Sequence, residues 1–166
     1  MSYTSPQSIT REFILGEFDC GRSSLNDWLI NKALKNEQQG ASRTYVICDR
    51  KKVVSYYCLA AGSVIRAEAP GKIKRNMTDP IPVMIIGRLA VDNRHQGQGI
   101  GMGLVKDAVL RTLQAANIVG IRAILVHALD EDAKRFYQDK CGFIPSPIHP
   151  LTLMITLADV KQNLNL

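Results

Sequence analysis

Glycines at positions 97, 99, 101 and 103 alternate with other residues in the middle of the chain. They follow an apolar run at 83–91 and precede a pattern of apolar residues three or four apart that extends to Asn117. A strand that leads through glycines into a helix presents converging backbone N–H groups and the positive end of the helix dipole. A merely structural turn would avoid glycines inside the helix, each of which costs about 0.5–1 kcal/mol. The pattern therefore predicts a site for a phosphate or pyrophosphate.

Two well-known phosphate loops do not fit this spacing. The glycines are not followed by the Gly-Lys-Ser or Gly-Lys-Thr of a P-loop NTPase. A dinucleotide-binding fold places its glycine loop after the first strand, with an acidic residue about twenty positions further on. Here the loop follows roughly the fourth predicted strand, which excludes that fold as well.

The residue pattern predicts the elements that must position this loop. Predicted strands cover 9–15, 44–48, 53–61, 83–91, 121–129 and 151–157, and predicted helices cover 23–39, 99–117 and 130–140. One face of the first helix is apolar and consists of Leu25, Trp28, Leu29 and Ala33. The proline- and lysine-containing stretch at 62–82 predicts an exposed connection with at most a short helix near 63–66. The order indicates one α/β domain over residues 1–166.

The four cysteines, Cys20, Cys48, Cys58 and Cys141, lack the C-x-x-C spacing of a zinc or redox site. They are expected to be reduced core residues, and no metal site is expected. The N-terminal segment has no basic region followed by an apolar run, and no later segment has about 18 uninterrupted apolar residues. A soluble, cytoplasmic protein is therefore expected.

Two segments carry a family resemblance. Gln96-x-x-Gly99-x-Gly101 after a strand, and the later segment 136–143 (FYQDKCGF), resemble the signature segments of GCN5-related N-acetyltransferases, the GNAT superfamily. The resemblance implies the GNAT fold, a single mixed sheet of about six or seven strands flanked by helices, and acetyl-CoA as cosubstrate. It also implies that the backbone of Leu89, Ala90 and Val91 pairs with the pantetheine arm. The pyrophosphate would be held by the N–H groups of Gln96, Gly97, Gln98, Gly99, Ile100, Gly101 and Met102.

A narrower resemblance covers nearly the whole chain. It rests on segments 18–21 and 25–26 (FDCG and LN), 40–44 (GASRT), 87–92 (GRLAVD) and 126–129 (VHAL). These segments are similar to those of the tRNA-acetylating toxins of type II toxin–antitoxin systems. That family implies acetylation of the α-amine of aminoacyl-tRNA, a block of translation, a small ribbon-helix-helix antitoxin and a homodimer. The net charge of +6 is consistent with either CoA or tRNA and does not choose between them.

Tyr137 is the candidate general acid for such a reaction. Acetyl transfer to nitrogen needs a proton for the departing thiolate, and a phenol with a pKa of about 10 is protonated at neutral pH. From the residues alone, Tyr137 is equally well explained as a half-buried aromatic that anchors a helix to the sheet. The matching Phe-Tyr segment of the family favours the acid role.

The histidines and carboxylates do not reveal a general base. Asp92 ends a strand, Asp130 begins a predicted helix, and His95, His127 and His149 are isolated in sequence. An α-amine, with a pKa of about 7.7, is neutral at pH 7 far more often than a lysine side chain, with a pKa of about 10.4. The missing base therefore weakly favours an α-amine acceptor.

Arg88 is the one charge in an otherwise apolar predicted strand. It either pairs with an internal carboxylate or points into the substrate cleft, and the cleft is slightly favoured. Other cations are candidates for a tRNA-facing surface, although solvated charge is the commoner explanation for any one of them. They are Lys32, Lys35, Arg43, Lys72, Lys74 and Arg75.

Two other functions stay open at this point. One is a general GNAT acetyltransferase acting on protein or small-molecule amines, and the other is a binding module that keeps CoA without turnover. The glycine loop and Tyr137 count against the second alternative.

Overall fold

β-branched and apolar runs form the strands of a mixed sheet in the computed structural model, which describes residues 2–166. The strands are β1 (Gln7–Ser8), β2 (Arg43–Asp49), β3 (Lys52–Val64), β4 (Ile81–Val91), β5 (Ala123–His127), β6 (Ile144–Pro145) and β7 (Thr152–Thr156). The α-helices are α1 (Ser23–Asn31), α2 (Ala33–Gln39), α3 (Gly71–Lys74), α4 (Ile100–Ala116), α5 (Glu131–Arg135) and α6 (Leu157–Asn163). Among these, no helix is long and apolar enough to cross a membrane.

The seven strands have the order β1-β2-β3-β4-β5-β7-β6, which confirms the predicted α/β class and the single mixed sheet. β4 and β5 are parallel, whereas β1–β2, β2–β3, β5–β7 and β6–β7 are antiparallel. The β4–β5 register extends from Val83↔Ala123 to Ile86↔Val126. β4 continues to Val91 beyond this register, and this last part of the strand leads into the glycine loop.

The chain divides into two compact units, each with its own core. The first contains the residues up to Ala60 together with Gly87–Asp107, and the second contains Ala61–Ile86 and Ala108–Leu166. In the first unit Trp28, Leu29 and Ala33 are buried and Leu25 packs against them, which confirms the predicted face of the first helix. Ile73, Ile81, Val83, Leu125 and Met154 are central to the second core. The single domain over residues 1–166 stays a prediction.

Near the N-terminus one predicted strand was wrong and one predicted helix is interrupted. The strand predicted at 9–15 is replaced by the two-residue β1, and Ile14 makes only an isolated bridge to Lys52. The apolar side chains of this stretch, including Phe13 and Leu15, pack on the first core, so their alternation reflects burial rather than strand pairing. The helix predicted at 23–39 is broken at Lys32, where φ is −128°.

The later corrections concern the connection and the chain ends. Of the stretch near 63–66, considered as a short helix, Ser63 and Val64 are the end of β3, and Arg66 begins a 3₁₀ turn that ends at Glu68. The helix predicted at 130–140 is α-helical only to Arg135 and continues as a π-helical turn over Phe136–Lys140. The sequence patterns did not predict α3, β6 or α6, because segments of two to seven residues are too short for a periodicity to be recognised.

All four cysteines are free, and Cys48, Cys58 and Cys141 are buried as expected. Cys20 is only half-buried. Burial raises the pKa of the Cys48 and Cys141 thiols to about 11. These two thiols are therefore protonated at neutral pH and act as small apolar side chains.

Candidate active site

The glycine loop connects β4 to α4 and is exposed from Gln96 to Gly99. Gly97 and Gly99 have φ values of 78° and 81°, in the left-handed region that side chains disfavour. A Cβ added at either position would meet no atom within 4 Å. Glycine is therefore required there for the direction of the backbone and not for lack of space.

The start of α4 leaves backbone donors for a ligand. Its first hydrogen bond is donated by the N–H of Gly103 to the carbonyl of Gly99, with an N···O distance of 3.1 Å. The N–H groups of Ile100, Gly101 and Met102 precede this bond and have no acceptor within the helix. The 17 residues of α4 add the positive end of a helix dipole at the same place. This arrangement suits the phosphate or pyrophosphate predicted from the sequence.

Gln96 holds the turn between β4 and the loop through its side chain. Its Nε2 donates to the carbonyl oxygen of Val91 at 3.0 Å and to Oδ1 of Asn93 at 3.2 Å. These bonds connect the last residue of β4 with the 3₁₀ turn Asn93–His95. The amide of Gln96 therefore shapes the loop in addition to any contact that its backbone N–H makes with a ligand.

Asp92 is the buried junction between β4, the loop and the segment before α1, with only 1% of its surface exposed. Its carboxylate accepts hydrogen bonds from the Arg94 backbone and side chain and from the backbone N–H of Asp19, at 2.9–3.0 Å. Burial acts to raise the pKa of Asp92, but the bonds from Arg94 and Asp19 outweigh it and lower the pKa to about 2. Asp92 is thus a permanent anion that fixes the start of the loop.

This structural role of Asp92 was not predicted from the sequence. The signal was present in the segments FDCG, LN and GRLAVD, because the same network continues through Asp19. The Asp19 carboxylate accepts from the N–H of Gly21 at 2.9 Å and from Nδ2 of Asn26 at 3.0 Å. Three of the five segments that carry the narrower resemblance therefore meet at one hydrogen-bonded junction beside the glycine loop.

Arg88 lies on β4 next to Leu89, Ala90 and Val91, and its side chain is exposed. Its guanidinium carbon lies 4.6 Å from the centroid of the Trp28 ring. Trp28 in turn stacks on Tyr56, with the ring centroids 5.8 Å apart and the planes 12° apart. The contact found for Arg88 is therefore an aromatic ring and not an internal carboxylate. Such a contact contributes about 0.5–1 kcal/mol at an exposed site and restrains the guanidinium.

Tyr137 lies in the second unit, on the π-helical turn Phe136–Lys140, and is 6% exposed. Its ring centroid lies 5.2 Å from that of Phe136 and 5.5 Å from that of Phe143. Its carbonyl accepts from the N–H of Phe143 at 3.1 Å. The enclosed ring fits the anchoring role, and π-helical turns occur frequently at functional sites.

The cations proposed for tRNA differ in their surroundings. Lys32, Lys35 and Arg75 are exposed and Lys74 is half-buried. Arg43 forms an ion pair with Glu37 at 2.6 Å, and Glu37 also accepts from the N–H of Thr44. Lys72 pairs with Asp159 at 2.7 Å. Arg43 and Lys72 therefore have a structural partner in addition to any role in binding.

Each histidine has a hydrogen-bond partner. The partner of His95 is the Tyr3 hydroxyl, that of His127 is Thr152, and that of His149 is the Glu68 carboxylate. Asp130 is the N-cap of α5, as expected from its place in the sequence. No group of three or more His, Cys, Asp or Glu side chains within residues 2–166 is arranged to hold a metal ion.

Comparison with known proteins identifies the family. Residues 40–145 match the acetyltransferase (GNAT) domain. A tRNA-acetylating toxin of Mycobacterium tuberculosis is 46% identical over 159 residues, which are 96% of this chain and 95% of that protein. AtaT complexed with acetyl-methionyl-tRNAfMet has a TM-score of 0.88 at 31% identity, covering 97% of this chain and 98% of the AtaT chain. A mutant AtaT bound to acetyl-CoA and the C-terminus of the antitoxin AtaR has a TM-score of 0.83 at 30% identity, covering 98% and 97%. The predicted GNAT fold is therefore confirmed, and the chain belongs to the GNAT family of acetyltransferases.

Proposed function

We propose that this chain is a toxin that transfers the acetyl group of acetyl-CoA to the α-amine of aminoacyl-tRNA and thereby blocks translation. The observation that carries the tRNA acceptor is the 46% identity, over 96% of the chain, with a tRNA-acetylating toxin. The AtaT structures with acetylated tRNA and with acetyl-CoA support the same acceptor and the same cosubstrate.

Acetyl-CoA fits the donor groups of the first unit. The N–H groups of Ile100, Gly101 and Met102 precede the first hydrogen bond of α4, and the neighbouring Gly97 and Gly99 let a phosphate approach the backbone. Leu89, Ala90 and Val91 belong to the part of β4 that extends past its paired register with β5. Their backbone would pair with the pantetheine arm, while the loop residues Gln96 to Met102 hold the pyrophosphate.

The reaction needs one bond made and one bond broken. The neutral α-amine attacks the thioester carbonyl, the new C–N bond forms, and the C–S bond breaks. Tyr137 donates its phenolic proton to the departing thiolate, the nitrogen releases one proton to solvent, and solvent returns a proton to the Tyr137 phenolate. An α-amine with a pKa of about 7.7 is sufficiently neutral at pH 7 to react without a dedicated base.

We assign binding of the tRNA acceptor to Arg88 and to cations on the surface. The guanidinium of Arg88 lies over the Trp28 ring, and Arg88 directly precedes the strand residues assigned to the pantetheine arm. A phosphate or carbonyl oxygen near the reacting amine is the group that the guanidinium N–H donors would bind. Weaker, general attraction of tRNA would come from Lys32, Lys35, Arg43, Lys74 and Arg75.

The proposal extends to the partners of the chain. Type II toxins of this kind are held inactive by a ribbon-helix-helix antitoxin, and the AtaT structure with the C-terminus of AtaR supports an antitoxin here. A homodimer is expected from the family resemblance. The cytoplasm, where charged tRNA is present, is the expected location.

Radiolabelled acetyl-CoA incubated with the protein and a mixture of charged tRNAs tests the function. Uncharged tRNA and a lysine-rich protein serve as parallel acceptors. Label confined to charged tRNA is the expected result. Label on protein or small amines, with none on charged tRNA, would establish a general acetyltransferase instead. Binding of CoA without any transfer would show that the chain is a binding module.

A further inference from the structure

The N-terminal segment brings a side chain to the glycine loop. Thr4 is fixed on β2 by two hydrogen bonds with Cys48, one from the N–H of Thr4 at 2.9 Å and one to its Oγ1 at 3.0 Å. Tyr3 forms an isolated bridge with Asp49. Its hydroxyl lies 2.7 Å from Nδ1 of His95 and donates to Oε1 of Gln98 at 3.0 Å. A residue 95 positions away in sequence therefore contacts the loop between its two left-handed glycines.

The proton count fixes the direction of these bonds. A phenol has one proton, and the Tyr3 hydroxyl donates it to Gln98. With that proton donated to Gln98, the Tyr3 oxygen is left to accept from Nδ1 of His95 in the 2.7 Å bond. His95 is only 8% exposed, and its ring packs edge-on against that of Tyr3 with centroids 5.5 Å apart. The three residues form a directed chain, from His95 through Tyr3 to Gln98.

In this arrangement the Gln98 carboxamide has its oxygen towards Tyr3. Its oxygen is held by Tyr3, so the amide nitrogen, with two N–H donors, is the arm that remains for another partner. A flipped carboxamide would instead present its oxygen to a bound anion, and the two would repel each other. Gln98 lies between Gly97 and Gly99, just before the backbone donors of α4, so a correctly oriented amide adds donors to an anion site.

We propose that Tyr3 is a positioning residue of the phosphate site, which orients Gln98 so that its side-chain amide donates to a phosphate oxygen of CoA. The inference rests on the proposed function, because it assumes that acetyl-CoA is the ligand of the loop. It adds a side-chain donor and a supporting residue from the N-terminal segment to a site otherwise made of backbone N–H groups.

The test uses Tyr3→Phe in the full chain, with acetyl-CoA and acetylpantetheine as alternative acetyl donors. Acetylpantetheine keeps the thioester and lacks every phosphate. The variant should raise the KM for acetyl-CoA about three- to ten-fold, the effect of one hydrogen bond of about 1 kcal/mol, with kcat changed less than about two-fold. The KM for acetylpantetheine should stay unchanged, because that donor has no phosphate for Gln98 to bind.

Two further variants keep the test decisive. Gln98→Leu should give the same loss for acetyl-CoA, and Tyr3→Phe added to it should give no further loss. Tyr56→Phe removes a hydroxyl that donates to the Leu25 carbonyl at 2.7 Å in the same unit, and it should not change the KM for acetyl-CoA.

The outcomes separate this inference from the proposed function. Equal losses for both donors, or no loss for either, would overturn the role of Tyr3 while acetyl-CoA turnover by the wild type stands. A wild type that neither binds CoA nor uses acetyl-CoA would overturn the proposed function itself, and with it the assignment of the ligand.

Discussion

Tyr137 is the proposed general acid, and its surroundings allow the role of the hydroxyl to be tested separately from that of the ring. The ring lies against Phe136 and Phe143. A phenylalanine at this position keeps both ring pairs and removes only the hydroxyl. Removal of the hydroxyl oxygen alone can therefore distinguish the anchoring role from the acid role.

Tyr137→Phe should lower kcat about 100-fold or more, the usual contribution of a general acid, while the Kd for acetyl-CoA changes less than about two-fold. Single-turnover acetylation of charged tRNA and calorimetric titration with CoA measure the two effects. Tyr56→Phe is the matched loss of a tyrosine hydroxyl and should keep kcat. A Tyr137→Phe enzyme with the wild-type rate would leave Tyr137 only its anchoring role.

Arg88 offers a second test at the residue scale, because its planar guanidinium lies on the Trp28 ring. Arg88→Lys keeps the charge but loses the planar stack and the paired donors, so it should behave nearly like Arg88→Gln. Both should raise the KM for charged tRNA about five-fold or more, equivalent to about 1 kcal/mol, and leave the Kd for acetyl-CoA unchanged. Full retention of the wild-type KM in Arg88→Lys would show that only charge matters at this position.

At the scale of elements, the glycine loop is determined by two kinds of restraint. Gly97 and Gly99 supply a backbone direction that other residues disfavour. The Asp92 junction and the Gln96 side chain hold the start of the loop to β4 and to the segment before α1. The first restraint was predicted from the sequence, whereas the second was not.

Gly99→Ala should lower the free energy of unfolding by about 1–2 kcal/mol, because alanine is strained at a φ of 81°. It should also weaken CoA binding, because a change in the backbone direction at Gly99 would move the loop N–H groups proposed to hold the pyrophosphate. Gly16→Ala is the control: an added Cβ meets nothing within 4 Å there as well, and its φ is not left-handed. Chemical denaturation and CoA titration of both variants measure the difference, and equal behaviour would contradict the prediction.

Asp92→Asn should remove a stabilising contribution that depends on pH. The folded pKa of about 2 lies below the ordinary value of about 3.9, so the contribution is complete above pH 4 and is lost as the pH falls towards 2. The free energy of unfolding of the wild type should exceed that of the variant by about 2 kcal/mol at pH 6 and by less than half of that near pH 2.5. Urea denaturation at both pH values measures the gap.

Asp159→Asn is the control for this prediction. Its hydrogen bond with Lys72 also lowers the pKa of Asp159, but the pair is partly exposed, and such pairs contribute at most about 1 kcal/mol. A gap for Asp92→Asn that stays constant from pH 6 to pH 2.5 would contradict the assignment of its low pKa.

The long periodic elements were predictable and the short or interrupted ones were not. The pattern at 99–117 gave α4 almost to the residue, and the apolar run at 83–91 gave most of β4. The break of the first helix at Lys32 has no proline or glycine to indicate it. In the site, the glycines were recognised by their spacing. Tyr3 and His95 act through partners distant in sequence, which no local pattern contains, and Asp92 adds the distant Asp19 to the neighbouring Arg94.

At the scale of the whole molecule, the net charge of +6 concerns tRNA more than acetyl-CoA. A polyanion is attracted by many cations at once, and its binding releases condensed counterions. The affinity for a small ligand held by fixed backbone N–H groups depends less on the overall electrostatic field of the protein. Salt should therefore affect the binding of the two proposed substrates to different extents.

Raising the salt concentration from about 50 to 200 mM should raise the KM for charged tRNA at least about ten-fold, and the KM for acetyl-CoA much less. Replacing the exposed Lys35 or Arg75 by alanine should reduce the slope of log KM against log salt by about one unit for each tRNA phosphate that is no longer neutralised. Replacement of a cation that does not contact tRNA would leave the slope of log KM against log salt unchanged. Equal salt dependence for both substrates would contradict a broad cationic surface for tRNA.

The hydrogen bonds that shape the glycine loop connect residues 73 and 95 positions apart, from Asp19 to Asp92 and from Tyr3 to Gln98. Contacts of such long separation form late in folding, because the chain between them must first lose its freedom. A nascent chain leaves the ribosome from its N-terminus, so Tyr3 and Asp19 emerge long before their partners. A growing polypeptide should therefore be unable to capture acetyl-CoA until the segment that contains Asp92 and Gln98 has been synthesised.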